Sequence, residues 1–247
     1  MDSAGERILS GWDSRTRLLI GDAGAERLAR ARVFVAGVGG VGGYAAEMLA
    51  RSGVGHLTLV DADVVSVSNL NRQIIATIPT LGHPKTELFA QRFHDINPDL
   101  TVKSVCDFIT PENTQELLDG DYDFVVDAID TVAPKVALIA HCLRNGIRIV
   151  SSMGAGGRTD PSKVGLRDLW ETRDDGLARA VRQRLKKLGL HKPLRVAAST
   201  EPPHTSSVIQ LDERNKRSSY GTIATIPSLF GIFLASHVIN TLCSTER

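Results

Sequence analysis

Apolar and polar positions divide the first 155 residues into short apolar runs and longer amphipathic stretches. "RVFVAG" (32–37), "HLTLVD" (56–61), "LTVKSV" (100–105), "DFVVDAI" (123–129) and "IRIVSS" (147–152) are rich in Val, Ile and Leu and read as strands. The spacing between them predicts helices over 40–52, 83–95, 112–119 and 132–145. "TPEN" opens the third, with Thr110 as a cap and Pro111 in the first turn. Strand–helix alternation of this kind predicts an α/β fold, a Rossmann-like doubly wound sheet that is mainly parallel and covered on both faces. Its site is expected at the carboxyl ends of the strands.

Beyond residue 155 the pattern changes. "GAGGRTDPSK" is turn-rich, "KVGLRDL" reads as a strand that extends the sheet into a mixed one, and "DDGLARAVRQRLKKLGLHK" as a basic helix. Residues 201–219, with two prolines, several serines and many charges, are expected to form a mobile loop. "YGTIATIPSLFGIFLASHVINTLC" (220–243) is apolar enough for a membrane span, but Pro227, Ser228, Ser236, His237 and Asn240 interrupt it. A buried core helix is the expectation. The chain is read as one domain over 1–247, with a nucleotide-binding half at 15–155 and a substrate-side half at 156–247.

Composition adds limits rather than direction. Hydrophobic residues make up 42% and charged residues 23% of the 247, ordinary for a soluble globular protein. A net charge of +1 gives no global attraction to nucleic acid, so any basic partner surface must be local. Cys106, Cys142 and Cys243 are widely spaced with no CxxC, which argues against a disulfide framework or structural zinc and suits a cytoplasmic protein. The start, "MDSAGERILSGW", lacks the apolar core of a signal peptide.

"GVGGVGG" (37–43) follows the first strand and opens a helix, so Gly37, Gly39 and Gly42 fit G-x-G-x-x-G in its required context. Gly37 allows the turn, Gly39 lets the backbone approach a phosphate, and Gly42 lets helix and strand pack closely. The helix N-terminus offers amides and partial positive charge to an anion. Asp61 lies where a ribose-binding acid belongs. These features imply a nucleotide without choosing between NAD held by an oxidoreductase and ATP consumed by an adenylating enzyme.

Adenylation builds negative charge on the phosphates and needs placed cations and a metal ion; hydride transfer does not. Asn69, Arg72 and Gln73 lie just beyond the second strand, and Lys85 opens the next helix. Asp127 and Asp130 end the fourth strand, where one carboxylate suits magnesium. Topology sends all of these to one sheet edge.

The order G-x-G-G-x-G, Asp, S-N-L-x-R-Q, Lys, D-x-x-D resembles the ubiquitin-activating-like adenylating enzymes over residues 15 to about 155. That resemblance implies ATP as substrate and Mg2+ as cofactor. Gly39 and the adjacent amides, Gly40 included, would cradle phosphate; Asp61 would hold the ribose; Asn69, Arg72 and Lys85 would contact the phosphates; and Asp130 would hold magnesium. It also implies a homodimer. Arg15, in "SRTRLLIG", matches an arginine given to the neighbouring subunit's ATP, and Arg17 stands two residues away.

The sulfur-carrier-activating members usually carry two CxxC pairs, which this chain cannot form, and no cysteine falls in 201–219 to accept an acyl group. "NRQIIA", "INPDL", "DFITPEN", "DAIDTVAPKVALIAHC" and "SSMGAGGRTDPSKVGLRDLWET" together look like the tRNA threonylcarbamoyladenosine dehydratase family. Its implied reaction adenylates the carboxylate of a threonylcarbamoyl group on tRNA, which the neighbouring carbamoyl then attacks to close a ring. A tethered nucleophile raises effective molarity enough to make an enzyme cysteine unnecessary. A sulfurtransferase-pathway protein is a candidate partner.

An RNA substrate calls for local positive charge. Residues 173–195 hold Arg173, Arg179, Arg182, Arg184, Lys186, Lys187, Lys192 and Arg195 with few acids, and Arg179, Arg182, Lys186 and Lys187 are the expected RNA contacts. The "MGAGG" turn (153–157) is expected to line the acyl pocket, with Arg158 as a substrate contact. His141, His204 and His237 receive no catalytic role.

Overall fold

The computed structural model describes residues 11–213 and 216–244. Seven strands form one sheet: β1 Arg32–Ala36, β2 His56–Val60, β3 Thr101–Val105, β4 Phe124–Asp127, β5 Ile149–Ser152, β6 Val164–Asp168 and β7 Arg195–Ser199. Their order is β3-β2-β1-β4-β5-β7-β6. All neighbours run parallel except β6, which is antiparallel to β7. The helices are α1 Ser14–Arg30, α2 Gly42–Arg51, α3 Lys85–Ile96, α4 Thr114–Leu117, α5 Val132–Asn145, α6 Gly176–Lys187 and α7 Thr225–Cys243.

The period of two along each strand assigns side chains to two cores. Val33 and Val35 of β1 face one way, with Leu57, Leu59, Phe124 and Val126, against Leu49 of α2, Phe89 and Phe93 of α3 and Phe230 of α7. Phe34 and Ala36 face the other way, with Val125, against Leu138 and Ile139 of α5 and Val181 and Leu185 of α6. The strand order reverses between β1 and β4, so the crevice over their carboxyl ends is where a doubly wound sheet binds ligands.

Two expectations need correction, and one strand was not foreseen. Residues 208–220 include two antiparallel strands, β8 Val208–Glu213 and β9 Lys216–Tyr220, where a loop was expected. Charges and serines masked the pairing. β7, "RVAAS", is too short and alanine-rich to stand out as a strand, yet it is buried between β5 and β6 and links the two halves in one sheet. The helix expected over 112–119 is one turn, Thr114–Leu117.

Helix α7 is long and apolar enough to cross a bilayer. It nevertheless buries Ile226, Phe230, Leu234, Ala235 and Val238 in the core. At Gly231 a Cβ would collide with the Val41 carbonyl, so α7 and the start of α2 touch backbone to backbone. The expected core helix is what the packing shows.

Candidate active site

The glycine loop is bent by two requirements that no other residue meets. Gly37 has φ +81°, and a Cβ at Gly42 would collide with the Gly37 carbonyl. Gly37 N–H donates to Val60 O at 2.8 Å, tying the turn to β2. No side chain caps the N-terminus of α2, which therefore faces the crevice with its amides available to an anion.

Asp61 locks this loop to the next. One carboxylate oxygen accepts from Val38 N–H at 2.8 Å and the other from Asp63 N–H at 2.9 Å. Burial raises the Asp61 carboxyl above its ordinary range, although Lys85 and these amides pull it down. Lys85 is 3% exposed, and its Nζ donates to Asp63 Oδ2 at 2.7 Å. Asp63 itself is 61% exposed. Sequence reasoning missed Asp63; its signal was the repeated acid in "VDADV". The pair keeps a desolvated ammonium beside the glycine loop and opposite an acceptor that water already reaches.

The turn after β2 carries the other predicted groups. Arg72 is half-buried, and its Cγ lies 3.5 Å from where a Cβ at Gly40 would stand. Its Nη1 donates to Ser68 O at 2.6 Å and to Asn71 Oδ1 at 2.9 Å. Gln73 is buried, with Nε2 3.6 Å from the Cβ direction of Gly39, and its Oε1 has no hydrogen-bond partner. An orphaned buried acceptor beside a glycine loop suits a ligand donor. Asn69 is buried, and its Oδ1 accepts from Ser66 N–H at 3.1 Å, so this side chain also shapes the turn.

At the end of β4 the two acids part company. Asp127 is fully buried, and its Oδ2 accepts from Lys135 Nζ at 2.7 Å and Ser151 Oγ at 2.5 Å. Lys135 also donates to Ser151 at 3.1 Å, and Asp127 Oδ1 accepts from Ile129 N–H at 3.1 Å. This carboxylate anchors the turn that leads to Asp130, which is exposed. Lys135 and Ser151 were invisible to sequence reasoning because each looks ordinary in its own element. Magnesium commonly takes one or two carboxylates together with substrate phosphates, so the single Asp130 carboxylate has the chemistry such an ion needs.

On α1, Arg17 is held by Asp13 at 2.7 Å and Asp22 at 3.3 Å, whereas Arg15 is exposed. Arg15, Leu18 and Leu19 share one face at helical spacing, and the two leucines are 62% and 86% exposed.

Two arginines in the second half are not where sequence reasoning put them. Arg182 turns inward, donating to Leu169 O at 3.2 Å, Thr172 O at 3.0 Å and Thr172 Oγ1, so its guanidinium is engaged by the protein itself and not turned out to solvent as expected. Arg158 is 3% exposed and donates to Glu201 O at 2.9 Å, Asp174 O at 3.1 Å, Gly154 O and the Asp175 carboxylate, so its guanidinium braces the loops beyond β5. Arg179, Lys186 and Lys187 are exposed. Asp175 caps helix α6 and accepts from Gly154 N–H at 2.9 Å just beyond β5, and the chain leaves the other end of the helix toward the start of β7. Arg179 therefore lies toward the nucleotide edge, and Lys186 and Lys187 lie toward the opposite one.

The two helical cysteines are poor nucleophiles, while Cys106 Sγ lies 4.0 Å from Ala62 O beside the Asp61 turn. Burial pushes the Cys142 thiol up to about 12, and burial raises that of Cys243. Cys106 is exposed at the end of β3.

The ThiF family model matches residues 14–247. The tRNA threonylcarbamoyladenosine dehydratase of Bacillus subtilis is 40% identical over 237 residues, covering 93% of each chain. The crystal structure of the E. coli dehydratase in complex with ATP superposes with a TM-score of 0.86 at 37% identity, covering 98% of this chain and 96% of that one. By contrast, similarity to the molybdopterin-synthase adenylyltransferase of E. coli, at 38% identity, extends over 52% of this chain and 51% of that protein. The chain thus belongs to the ThiF family and, along nearly its whole length, to the tRNA threonylcarbamoyladenosine dehydratases.

Proposed function

We propose that this chain adenylates the carboxylate of threonylcarbamoyladenosine in tRNA with ATP and closes it to the cyclic form. The observation that carries the reading is Arg72 lying against Gly40 while Lys85 sits buried beside Asp61 and Asp63. Hydride transfer to or from NAD builds no charge on the phosphates and so does not require two cations placed there. A sulfur-carrier adenylyltransferase would not account for similarity to the dehydratases through the second half.

ATP lies with its phosphates over the amides of Gly39, Gly40 and Gly42 at the start of α2, and Gly37 permits that approach. Asp61 accepts from the ribose. Asn69, Arg72 and Lys85 surround the phosphates, Gln73 meets the nucleotide beside Gly39, and Lys85 exchanges Asp63 for phosphate oxygen at little cost because Asp63 is already solvated. Asp130 would hold magnesium, which supplies charge neutralisation at the triphosphate when bound. Arg15, Arg72, Lys85 and Asp130 are the groups assigned to the catalytic step.

A substrate carboxylate oxygen attacks the α-phosphorus and pyrophosphate leaves, its growing charge stabilised by Arg72 and Lys85. The carbamoyl group then attacks the acyl carbon, AMP departs with the bridging oxygen, and a proton passes to solvent. Tethering supplies the proximity that a cysteine relay supplies elsewhere.

The chain works as a homodimer through the Arg15, Leu18 and Leu19 face of α1, which brings Arg15 to the second copy's ATP. Residues 15–155 act as the nucleotide half and 156–247 as the substrate half of one domain. Exposed Arg179, Lys186 and Lys187 attract the tRNA backbone. The three unbridged cysteines suit a reducing cytoplasm. Incubation with MgATP and threonylcarbamoyl-modified tRNA should release AMP and pyrophosphate and yield a nucleoside about 18 mass units lighter, one water by this chemistry. An unchanged nucleoside mass with the modified substrate present rules the reading out.

A further inference from the structure

Across the carboxyl edge of the sheet, the turn after β5 and the Arg72 turn are joined by a strap. Tyr220, the last residue of β9, packs on the β5 turn so closely that a Cβ at Gly156 would stand 2.6 Å from its own Cβ. Gly157 N–H donates to Gly221 O at 2.8 Å, and His204 N–H donates to Gly157 O at 2.7 Å. One residue further along the strap, Thr222 O accepts from Asn71 Nδ2 at 2.9 Å. Asn71 Oδ1 in turn accepts from Arg72 Nη1 at 2.9 Å. The β5 and β2 ends lie three strand positions apart in the order β2-β1-β4-β5, roughly 14 Å at the usual strand spacing. Three hydrogen bonds, one on each side of the strap and one onto the guanidinium, cover that span.

An asparagine is suited to this place. Its side chain donates with one atom and accepts with the other, so it joins a backbone carbonyl on the strap to a guanidinium that cannot accept. Asn71 is exposed, adds nothing to the core and caps no helix. Its two contacts are what distinguish it.

We infer that Asn71 is a positioning residue that makes the placement of Arg72 depend on the strap, so that substrate engaging the β5 turn sets the arginine for adenylation. This rests on the proposed reaction, in which the tRNA carboxylate is the nucleophile, and adds to it a reason why water does not cleave ATP at the same rate before tRNA binds. Coupling between sites requires an element with contacts to both, and the segment from Tyr220 to Thr222 is one.

Two variants separate the links. Asn71→Asp keeps an acceptor for Arg72 and removes the donor to Thr222; Asn71→Ala removes both. Pyrophosphate release is measured with and without modified tRNA, alongside the thermal midpoint. Wild-type protein should show a large ratio of the two rates, and Asn71→Asp should lower that ratio about five- to tenfold with the midpoint held, as expected for loss of one coupling contact. Asn71→Ala should lower it at least as much. A residue that only shapes its turn would depress both rates together and leave the ratio at the wild-type value. That outcome, or a wild-type ratio in Asn71→Asp, overturns the inference. No pyrophosphate release by wild type with tRNA present would instead defeat the proposed reaction.

Discussion

On the β2 side of the sheet, charged side chains converge on the glycine loop; beyond β5, side chains of the same kind hold loops together. Arg72 and Arg182 show the contrast. Both are half-buried and both donate to backbone carbonyls. Arg72 rests on its own exposed turn, against a glycine, where a phosphate can replace its acceptors. Arg182 donates to Leu169 and to both the carbonyl and the hydroxyl of buried Thr172, where nothing can replace them. Lys85 and Lys135 repeat the contrast. One is paired with a solvated acid and the other with an acid that is 0% exposed. The accessibility of the partner, more than that of the cation, separates a group available for chemistry from one that holds the fold.

That distinction can be tested residue by residue. The largest effect is expected at Lys135. Lys135→Met leaves the Asp127 carboxylate buried without its cation, which should cost about 3–5 kcal/mol. For a chain of this length that lowers the thermal midpoint by roughly 10 °C. A midpoint within a degree of wild type would show that the pair is not structural. Arg72→Ala should do the reverse, leaving the midpoint in place while lowering the rate of pyrophosphate release about 100- to 1000-fold, the scale of losing one placed donor to developing charge. Lys85→Ala should act the same way in a stopped assay.

Smaller changes sharpen the second half. Arg182→Ala should cost about 1–3 kcal/mol through unsatisfied carbonyls near Thr172 and leave nucleotide affinity unchanged. Calorimetry with ATP checks both parts. Replacing Lys186 and Lys187 together by glutamate should weaken tRNA binding about tenfold at low salt, with a shallower salt dependence and no effect on ATP. Equal binding by this variant would remove that end of α6 from the RNA surface.

The smallest effect concerns pH. Glu47 would be raised by burial, but Arg92 and Arg51 hold its carboxyl below the ordinary 4.5. A depressed folded value means the stabilisation is present above 4.5 and is lost as pH falls through the lower value. Thermal midpoints between pH 5 and 3 should therefore decline less steeply in Glu47→Gln than in wild type.

Much of the β2 side was legible from the sequence because its chemistry is local. Gly37, Gly42 and Asp61 are fixed by turn geometry within a single β-α-β unit, and Arg72 and Lys85 follow at short spacing. The far side depends on contacts between distant segments. Arg158 meets Glu201 only when β6 and β7 pair, and Arg182 folds back from its helix onto the turn at Thr172. Composition could show that these residues were basic, but not that carbonyls would surround them. β8 and β9 were hidden for a related reason: their pairing satisfies the backbone whatever the side chains, so charges and serines disguised it. Asp127 and Asp130 were indistinguishable as letters; burial and the bonds from Lys135, Ser151 and Ile129 separate them.

The most direct test of the central claim follows a heavy-oxygen label placed in the threonylcarbamoyl carboxylate of the tRNA. If that carboxylate attacks the α-phosphorus, the AMP released by the wild-type protein must carry one labelled oxygen. Unlabelled AMP beside a cyclised nucleoside would mean that ATP is cleaved by another route, and would contradict the account.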